Sequence, residues 1–277
     1  MIRPVVKWAG GKTQLLDEII KRLPQIYNRY FEPFVGGGAL LFQLKPQDAV
    51  INDLNYELVC VYECLKDKEL LKKLIEKLNE HEKNHSKAYF QEIRILDRTD
   101  HFKNLSKVDI AARMIYLNKS GYNGMYRVNS KGHFNVPMDN SKEKVKLYNF
   151  DNLMNIHKYF TNSNIVITNG DFEEVVKEAK IGDFVYFDPP YDTYENQKNF
   201  TSYSKQGFSK EDQKRLFEVF NRLSKTGVYV MLSNHNTDFI RELYKDYKID
   251  VVMAKRMINS KATQRGPVEE VIIRNYE

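Results

Sequence analysis

Gly182-Asp183-Phe184-Val185-Tyr186-Phe187-Asp188-Pro189-Pro190-Tyr191 is the stretch that decides the fold. Its first half is apolar, aromatic and opened by a glycine, the pattern of a buried strand. Its second half ends the strand. Neither proline can donate to a ladder, and Pro189 biases Asp188 away from helical backbone. A stiff turn at the C-terminal end of a buried strand is where open α/β sheets hold their ligands. This turn carries a carboxylate (Asp188), a rigid carbonyl (Pro189) and a ring face (Tyr191). Such a set can accept hydrogen bonds from an amino group on a flat base while the ring stacks on it. Alone, the four residues fit equally well a polar turn after a core strand, so the rest of the chain decides.

Upstream, Tyr30–Val35 reads as a strand, Gly36-Gly37-Gly38 as a tight turn and Ala39 as a helix start. Glycines there let backbone approach a ligand and aim amides into a concavity at the helix N-terminus. Asp48–Ile51 reads as the next strand and ends in Asn52-Asp53. An acid at that position can accept both ribose hydroxyls of a nucleoside ligand, or serve as N-cap of the helix that starts near Tyr56. Residues 56–120 turn helical and rich in Lys and Glu. Residues 121–140 turn to Gly, Asn, aromatic and basic groups. From Asn164 the α/β alternation resumes, with strands at 164–168, 183–187, 228–232, 247–254 and 268–274 and a helix at 209–224. The simplest organisation is one α/β domain in two segments, 1–55 and 161–277, interrupted by a mainly helical insertion at 56–160.

Composition agrees with a globular enzyme-sized chain. There are 277 residues, 42% hydrophobic and 13% aromatic, with a formal net charge of +6. That basic excess is compatible with a polyanionic partner. Cys60 and Cys64, four apart in a helical segment, suit a reducing compartment better than a disulfide framework. No apolar run approaches a membrane span and the N-terminus lacks a signal-type apolar core, so a cytoplasmic protein without membrane partner is expected.

Three motifs invite other readings. Trp8-Ala9-Gly10-Gly11-Lys12-Thr13 resembles a phosphate loop, but Val6 stands where that pattern needs glycine, which rejects an ATPase. His81-Glu82-Lys83-Asn84-His85 matches H-E-x-x-H, yet charged flanks and the lack of a third ligand make it a solvated helix face, and no metal is expected. Gly121 to Pro137 reads as a hairpin turning at Ser130-Lys131-Gly132. In it Asn123, Arg127 and Asn129 can meet base edges, and Tyr122 and Met125 can wedge between base steps; an ordinary surface hairpin has the same outline.

Taken together, these pieces resemble the Dam-type (class D12) DNA adenine-N6 methyltransferases, most closely the DpnII-type methylases of GATC restriction–modification systems. The resemblance runs through Lys7–Lys12, Tyr30–Ala39, Asn52-Asp53, Asn118–Pro137, Asn169–Phe172, Asp188–Tyr191 and Leu232–His235, in family order. Asp at the head of the tetrapeptide is similar to the adenine enzymes. The resemblance implies a Rossmann-like mixed seven-stranded sheet, S-adenosylmethionine as cofactor and double-stranded DNA as partner. It implies a cofactor pocket of Trp8, Lys12, Phe34, Gly36, Gly38, Asp53, Asp171, Phe172 and Asp188. Asp171 and Phe172 would flank the cofactor's adenine. Asp188, Pro189 and Tyr191 would be catalytic. Tyr122, Asn123, Met125, Arg127, Asn129 and Pro137 would meet DNA, with 56–160 as the target-recognition domain carrying the hairpin. One departure matters. Where relatives continue with Phe-Gly-Arg-Tyr, this chain has Met138-Asp139-Asn140-Ser141, so phosphate contacts made there do not carry over. Asn199–Tyr203 reads as a lid that orders on DNA. The resemblance also leaves two biological settings open: a restriction–modification system, with a separate endonuclease acting on the same site as a further partner, or an orphan or phage-borne methylase without one. RNA or cytosine methylation, and DNA binding without catalysis, are the rival readings.

Overall fold

The computed structural model describes residues 2–8, 15–141, 143–193, 208–255 and 267–277. Among these, seven strands form one Rossmann-like mixed sheet in the order β3-β2-β1-β4-β5-β7-β6. The strands are β1 Tyr30–Glu32, β2 Asp48–Asp53, β3 Asn164–Asn169, β4 Phe184–Phe187, β5 Tyr229–His235, β6 Lys248–Lys255 and β7 Pro267–Arg274. β7 alone runs antiparallel to its neighbours. The helices are α1 Leu16–Ile20, α2 Ala39–Leu44, α3 Tyr56–Lys66, α4 Lys68–Asn84, α5 Lys87–Ile95, α6 Lys107–Ser120, α7 Phe150–Asn162, α8 Phe172–Val175, α9 Lys210–Lys225 and α10 Asp238–Leu243.

Strand alternation divides the core between two faces. In β4, Phe184 and Tyr186 join the core under α3, α6 and α7, while Val185 and Phe187 join the one under α9 and α10. All four are buried, which is why this strand reads as a continuous apolar run. β1 is shorter than its sequence suggests. It stops at Glu32 because Pro33 has no N–H to give, and the amide of Val35 turns instead to the carbonyl of Asn52 at 2.9 Å.

Side-chain caps fix the helix starts. Asn55, Asp67, Ser86, Ser106 and Asn149 each accept a hydrogen bond from their helix's first turn, and Ser209 and Asp212 form a capping box on α9. Asn55 thus caps α3, the role open to Asp53 in the sequence. Within 56–160, α3 and α7 lie against the sheet, and α4, α5 and α6 continue the same core away from it.

The H-E-x-x-H helix differs from its sequence reading. His81 is 3% exposed, its Nδ1 lies 2.8 Å from the Tyr89 hydroxyl, and its ring stacks on Tyr116 at 5.0 Å. Burial pushes its pKa down to about 4. It occupies the fourth place of an apolar stripe with Leu71, Leu74 and Leu78, a spacing that charged neighbours concealed. His85 Nδ1 meets the Tyr116 hydroxyl at 2.9 Å, and Glu82 accepts the amide of Leu147. The motif is an aromatic-lined packing element rather than a solvated face.

Candidate active site

The sheet's order reverses between β1 and β4, and the candidate residues collect at the C-terminal ends of the strands on either side of that point. After β1, the chain turns through Gly36 and Gly38, both with left-handed φ (49° and 73°). Gly36 admits no side chain, because a Cβ there would lie 2.6 Å from Cδ1 of Trp8. Its amide donates to Asp53 Oδ2 at 3.0 Å and its carbonyl accepts from the Tyr62 hydroxyl at 2.7 Å. Asp53 Oδ1 accepts the amide of Asn55 at 2.9 Å. The carboxylate keeps acceptor capacity for a hydroxyl donor beyond these amides. Burial pushes the pKa of Asp53 up to about 6, against the pull of those backbone amides. Asn52 ties the neighbouring loops together, donating to the carbonyls of Pro33 and Gly170 at 3.0 and 2.9 Å.

Phe34 and Phe172 face each other at 5.3 Å beside this turn and make an apolar wall. Asp171, expected at a cofactor adenine, is already engaged. Its carboxylate pairs with both terminal nitrogens of Arg215 at 3.0 and 2.8 Å, and it caps α8 through the amide of Glu173. The Arg215 guanidinium lies 4.5 Å over the Phe172 ring. Glycine cradle, acid and aromatic wall fit an adenosine-bearing cofactor: a shape that excludes a side chain, acceptors for ribose, and ring faces for a base. Lys12 and Asn199–Tyr203, the segment expected to act as a lid, lie outside the described residues.

Across the reversal point, Asp188 follows β4 half-buried. Its turn is held from below. Gln213 on α9, fully buried, donates to the Pro190 carbonyl at 3.0 Å and accepts from Asn234 Nδ2 at 3.1 Å. Asn234 Oδ1 accepts the amides of Asp192 at 2.8 Å and His235 at 2.9 Å. Asp192 in turn accepts the Thr237 hydroxyl at 2.6 Å. Tyr191 donates its hydroxyl to Glu270 Oε2 at 3.0 Å and meets the His235 ring edge-to-face at 4.9 Å, so its plane is fixed. Glu32, at the end of β1, is 3% exposed and accepts the Tyr30 hydroxyl at 2.9 Å. Burial, reinforced by the nearby Asp188, pushes its pKa up to about 8.

The hairpin follows its expected path with little regular ladder. Gly121↔Met138 and Val128↔Phe134 are isolated antiparallel bridges. Asn123 and Gly124 both take left-handed backbone, which breaks the pairing between them. The turn at 129–132 closes through Gly132 N to Asn129 O at 2.8 Å. Asn129 differs from the base-reading expectation in one respect: its side-chain oxygen accepts the amides of Lys131 and His133, both at 3.0 Å. Tyr122 is 52% exposed; Asn123 and Pro137 are exposed, Met125 and Arg127 half-buried. Arg127 donates Nε–H to Asn135 Oδ1 at 2.8 Å. Trp8 joins hairpin and cofactor turn: it covers Gly36 and stacks on Tyr126 at 5.3 Å. Asn118 adds a second link, accepting from the amide of Lys7 and donating to the carbonyls of Lys7 and Gly124.

Sequence reading missed Glu32, Tyr62, Gln213, Asn234, Arg215 and Glu270 as parts of this site. Only Glu32 and Asn234 carried a signal, their places within the family-like stretches Tyr30–Ala39 and Leu232–His235. Among the described residues no group of His, Cys, Asp and Glu is arranged to hold a metal, and no helix is long and apolar enough to cross a membrane.

A family model described as D12 class N6 adenine-specific DNA methyltransferase matches residues 8–258. The "Type II methyltransferase M1.LlaDCHI" of Lactococcus lactis subsp. cremoris is 46% identical over 275 residues, covering 99% of this chain and 96% of that protein. The "Type II methyltransferase M.MjaIII" of Methanocaldococcus jannaschii is 39% identical, with 99% of both chains covered. The "DNA adenine methylase" of Escherichia coli strain K12 is 31% identical, with 98% of this chain and 94% of that protein covered.

Proposed function

The chain belongs to the D12 class of N6 adenine-specific DNA methyltransferases, uses S-adenosylmethionine as its cofactor and acts on DNA, and from that footing we propose that its target is the adenine of GATC in duplex DNA. Membership removes the RNA, cytosine and binding-only alternatives. GATC itself rests on the resemblance of Tyr122–Arg127 to the reading segment of GATC methylases. The observation that carries the arrangement is Trp8, which joins the Gly36 turn to Tyr126, the residue before Arg127.

S-adenosylmethionine supplies an electrophilic methyl group. The protein's part is to present the adenine amine to it. An exocyclic amine is a poor nucleophile while its lone pair is delocalised into the ring. The Asp188 carboxylate and the Pro189 carbonyl accept its two N–H groups, favour a pyramidal nitrogen, and leave Asp188 to take the proton that methylation releases. Tyr191, its plane set by Glu270 and His235, stacks on the flipped base and offsets part of an unstacking cost of a few kcal/mol. Trp8, Phe34, Gly36, Gly38, Asp53 and Phe172 hold the cofactor. Asp171 takes part by sharing its carboxylate with Arg215. Residues 56–160 act as the target-recognition unit. There Arg127, steadied through Nε by Asn135, offers its terminal nitrogens to the O6 and N7 of a guanine, and Tyr122 wedges beside the target step. High identity to two proteins named type II methyltransferases supports a role beside a separate restriction endonuclease. Sequencing of methylated adenines in DNA from cells expressing the chain tests the target. Marks at GATC are expected; marks confined to another motif overturn the assignment.

A further inference from the structure

The reading hairpin stands on a buried ionic frame to which the methylation chemistry gives no part. Arg113, on α6, is 1% exposed. Its two terminal nitrogens meet Glu57 Oε2 at 2.8 Å and Asp97 Oδ2 at 2.9 Å. Nε and one terminal nitrogen also donate to the carbonyls of Ile93 and Arg94, at the end of α5, at 3.0 and 3.1 Å. Each carboxylate then grips one arm of the hairpin. Glu57 Oε1 accepts the Tyr126 hydroxyl at 3.1 Å, on the first arm. Asp97 Oδ2 accepts the Phe134 amide at 2.6 Å, on the second. The Tyr126 ring meets Trp8 at 5.3 Å and Phe134 at 5.7 Å.

Stability alone is a weak reason for such a frame. A buried ion cluster often gives no more stability than apolar residues of the same volume, because desolvation offsets its attraction. It does give geometry. A guanidinium fork fixes two carboxylates in direction as well as distance, which a point charge cannot do. The hairpin needs that service, since its arms share isolated bridges rather than a ladder, and two consecutive left-handed residues loosen the first arm. Arg127 follows Tyr126 directly, so whatever fixes the Tyr126 ring and hydroxyl also aims the next side chain.

We propose that Arg113, with Glu57 and Asp97, is a positioning frame that sets the two hairpin arms against each other and so aims Arg127, making these buried residues determinants of target specificity. The inference rests on the reading of Arg127 as a base contact. The test uses the full chain and duplexes holding the sequenced target or single-pair variants of it, and compares kcat/KM across them for wild type, Arg127→Ala, Tyr126→Phe and Arg113→Lys. Tyr126→Phe keeps the ring between Trp8 and Phe134 and removes only the hydroxyl on Glu57. It is expected to bind S-adenosylmethionine as wild type does and to keep its kcat on the target. Its preference for the target should fall about tenfold, at the base pair where Arg127→Ala also loses preference, the scale of one hydrogen bond to a charged group. Arg113→Lys, if folded, should lose more. A Tyr126→Phe enzyme with a lowered Tm and an unaltered preference makes the frame merely structural and overturns the inference. An Arg127→Ala enzyme with unaltered preference overturns the base-contact reading beneath it, and the inference with it; the two failures are told apart by which variant keeps its preference.

Discussion

Asp188 is held in place from outside its own strand. Gln213 and Asn234 fix the turn it opens, and Glu270 and His235 fix the ring that closes it. An acceptor set in advance for the amine acts mainly on the transition state, where charge develops on nitrogen. Asp188→Ala should therefore lower kcat by roughly 100- to 1000-fold or more, the usual cost of removing one preorganised polar partner. Single-turnover methyl transfer measures it, and near-normal turnover in a folded variant would remove Asp188 from the chemistry. Asp53 makes a second residue-scale case. Its pKa of about 6 means that it is charged above that pH and neutral below it. If the carboxylate accepts ribose hydroxyls, cofactor affinity should be full near pH 8 and weaken as pH falls through about 6. Asp53→Asn should bind more weakly by roughly 1–3 kcal/mol at pH 8 and lose that pH dependence. Calorimetry at several pH values decides it. An unchanged affinity and slope would reduce Asp53 to a support for the Gly36 amide.

At the scale of elements, the β1 turn depends on two left-handed glycines and a tryptophan laid across one of them. Gly36→Ala would strain the backbone and drive a methyl into the Trp8 ring, shifting the ring that also carries Tyr126. The backbone strain alone should lower stability by roughly 1–3 kcal/mol, and cofactor binding and target preference should fall together, as read by calorimetry and by kcat/KM on matched duplexes. Loss of one without the other would mean that Trp8 does not couple them. Strands, the glycine turn and α9 were legible in the sequence because each is written locally: a buried apolar run, a Gly triplet, an apolar periodicity over 209–224. Other parts were not. The alternation of β4 gives no hint of which strand lies beside it, so Glu270 on antiparallel β7 could not be brought to Tyr191. Arg113 reads as an ordinary helix residue until Glu57 and Asp97 close round it from distant positions. His81 was hidden by charged neighbours that point the other way. Arg215, which pairs with Asp171, stands on another helix, so that pair could not be read along the chain.

For the whole molecule, one buried carboxyl in the middle of the sheet ties stability to pH. Glu32 lies at the end of β1, beside the point where the sheet's order reverses, and it is 3% exposed with the Tyr30 hydroxyl as its donor. Burial raises its pKa from an ordinary 4.5 to about 8, so the folded protein holds a proton there that the unfolded chain releases near 4.5. Where the folded state binds more protons, stability falls as pH rises. The contribution is therefore complete below about pH 4.5, is lost progressively above it, and is gone once pH has passed through about 8. Glu32→Gln removes the titrating group while keeping an acceptor for Tyr30. The Tm of the wild type relative to Glu32→Gln should then decline steadily from pH 4.5 to about 8 and level off above it. Comparing the two proteins at each pH cancels the titration of every other group. The nearby Asp188 carries part of the shift, so Asp188→Asn should make the total wild-type decline smaller and end it at lower pH. A difference in Tm that stays flat across that range would mean that Glu32 is ionised in the folded protein, with its charge balanced by a partner other than Tyr30.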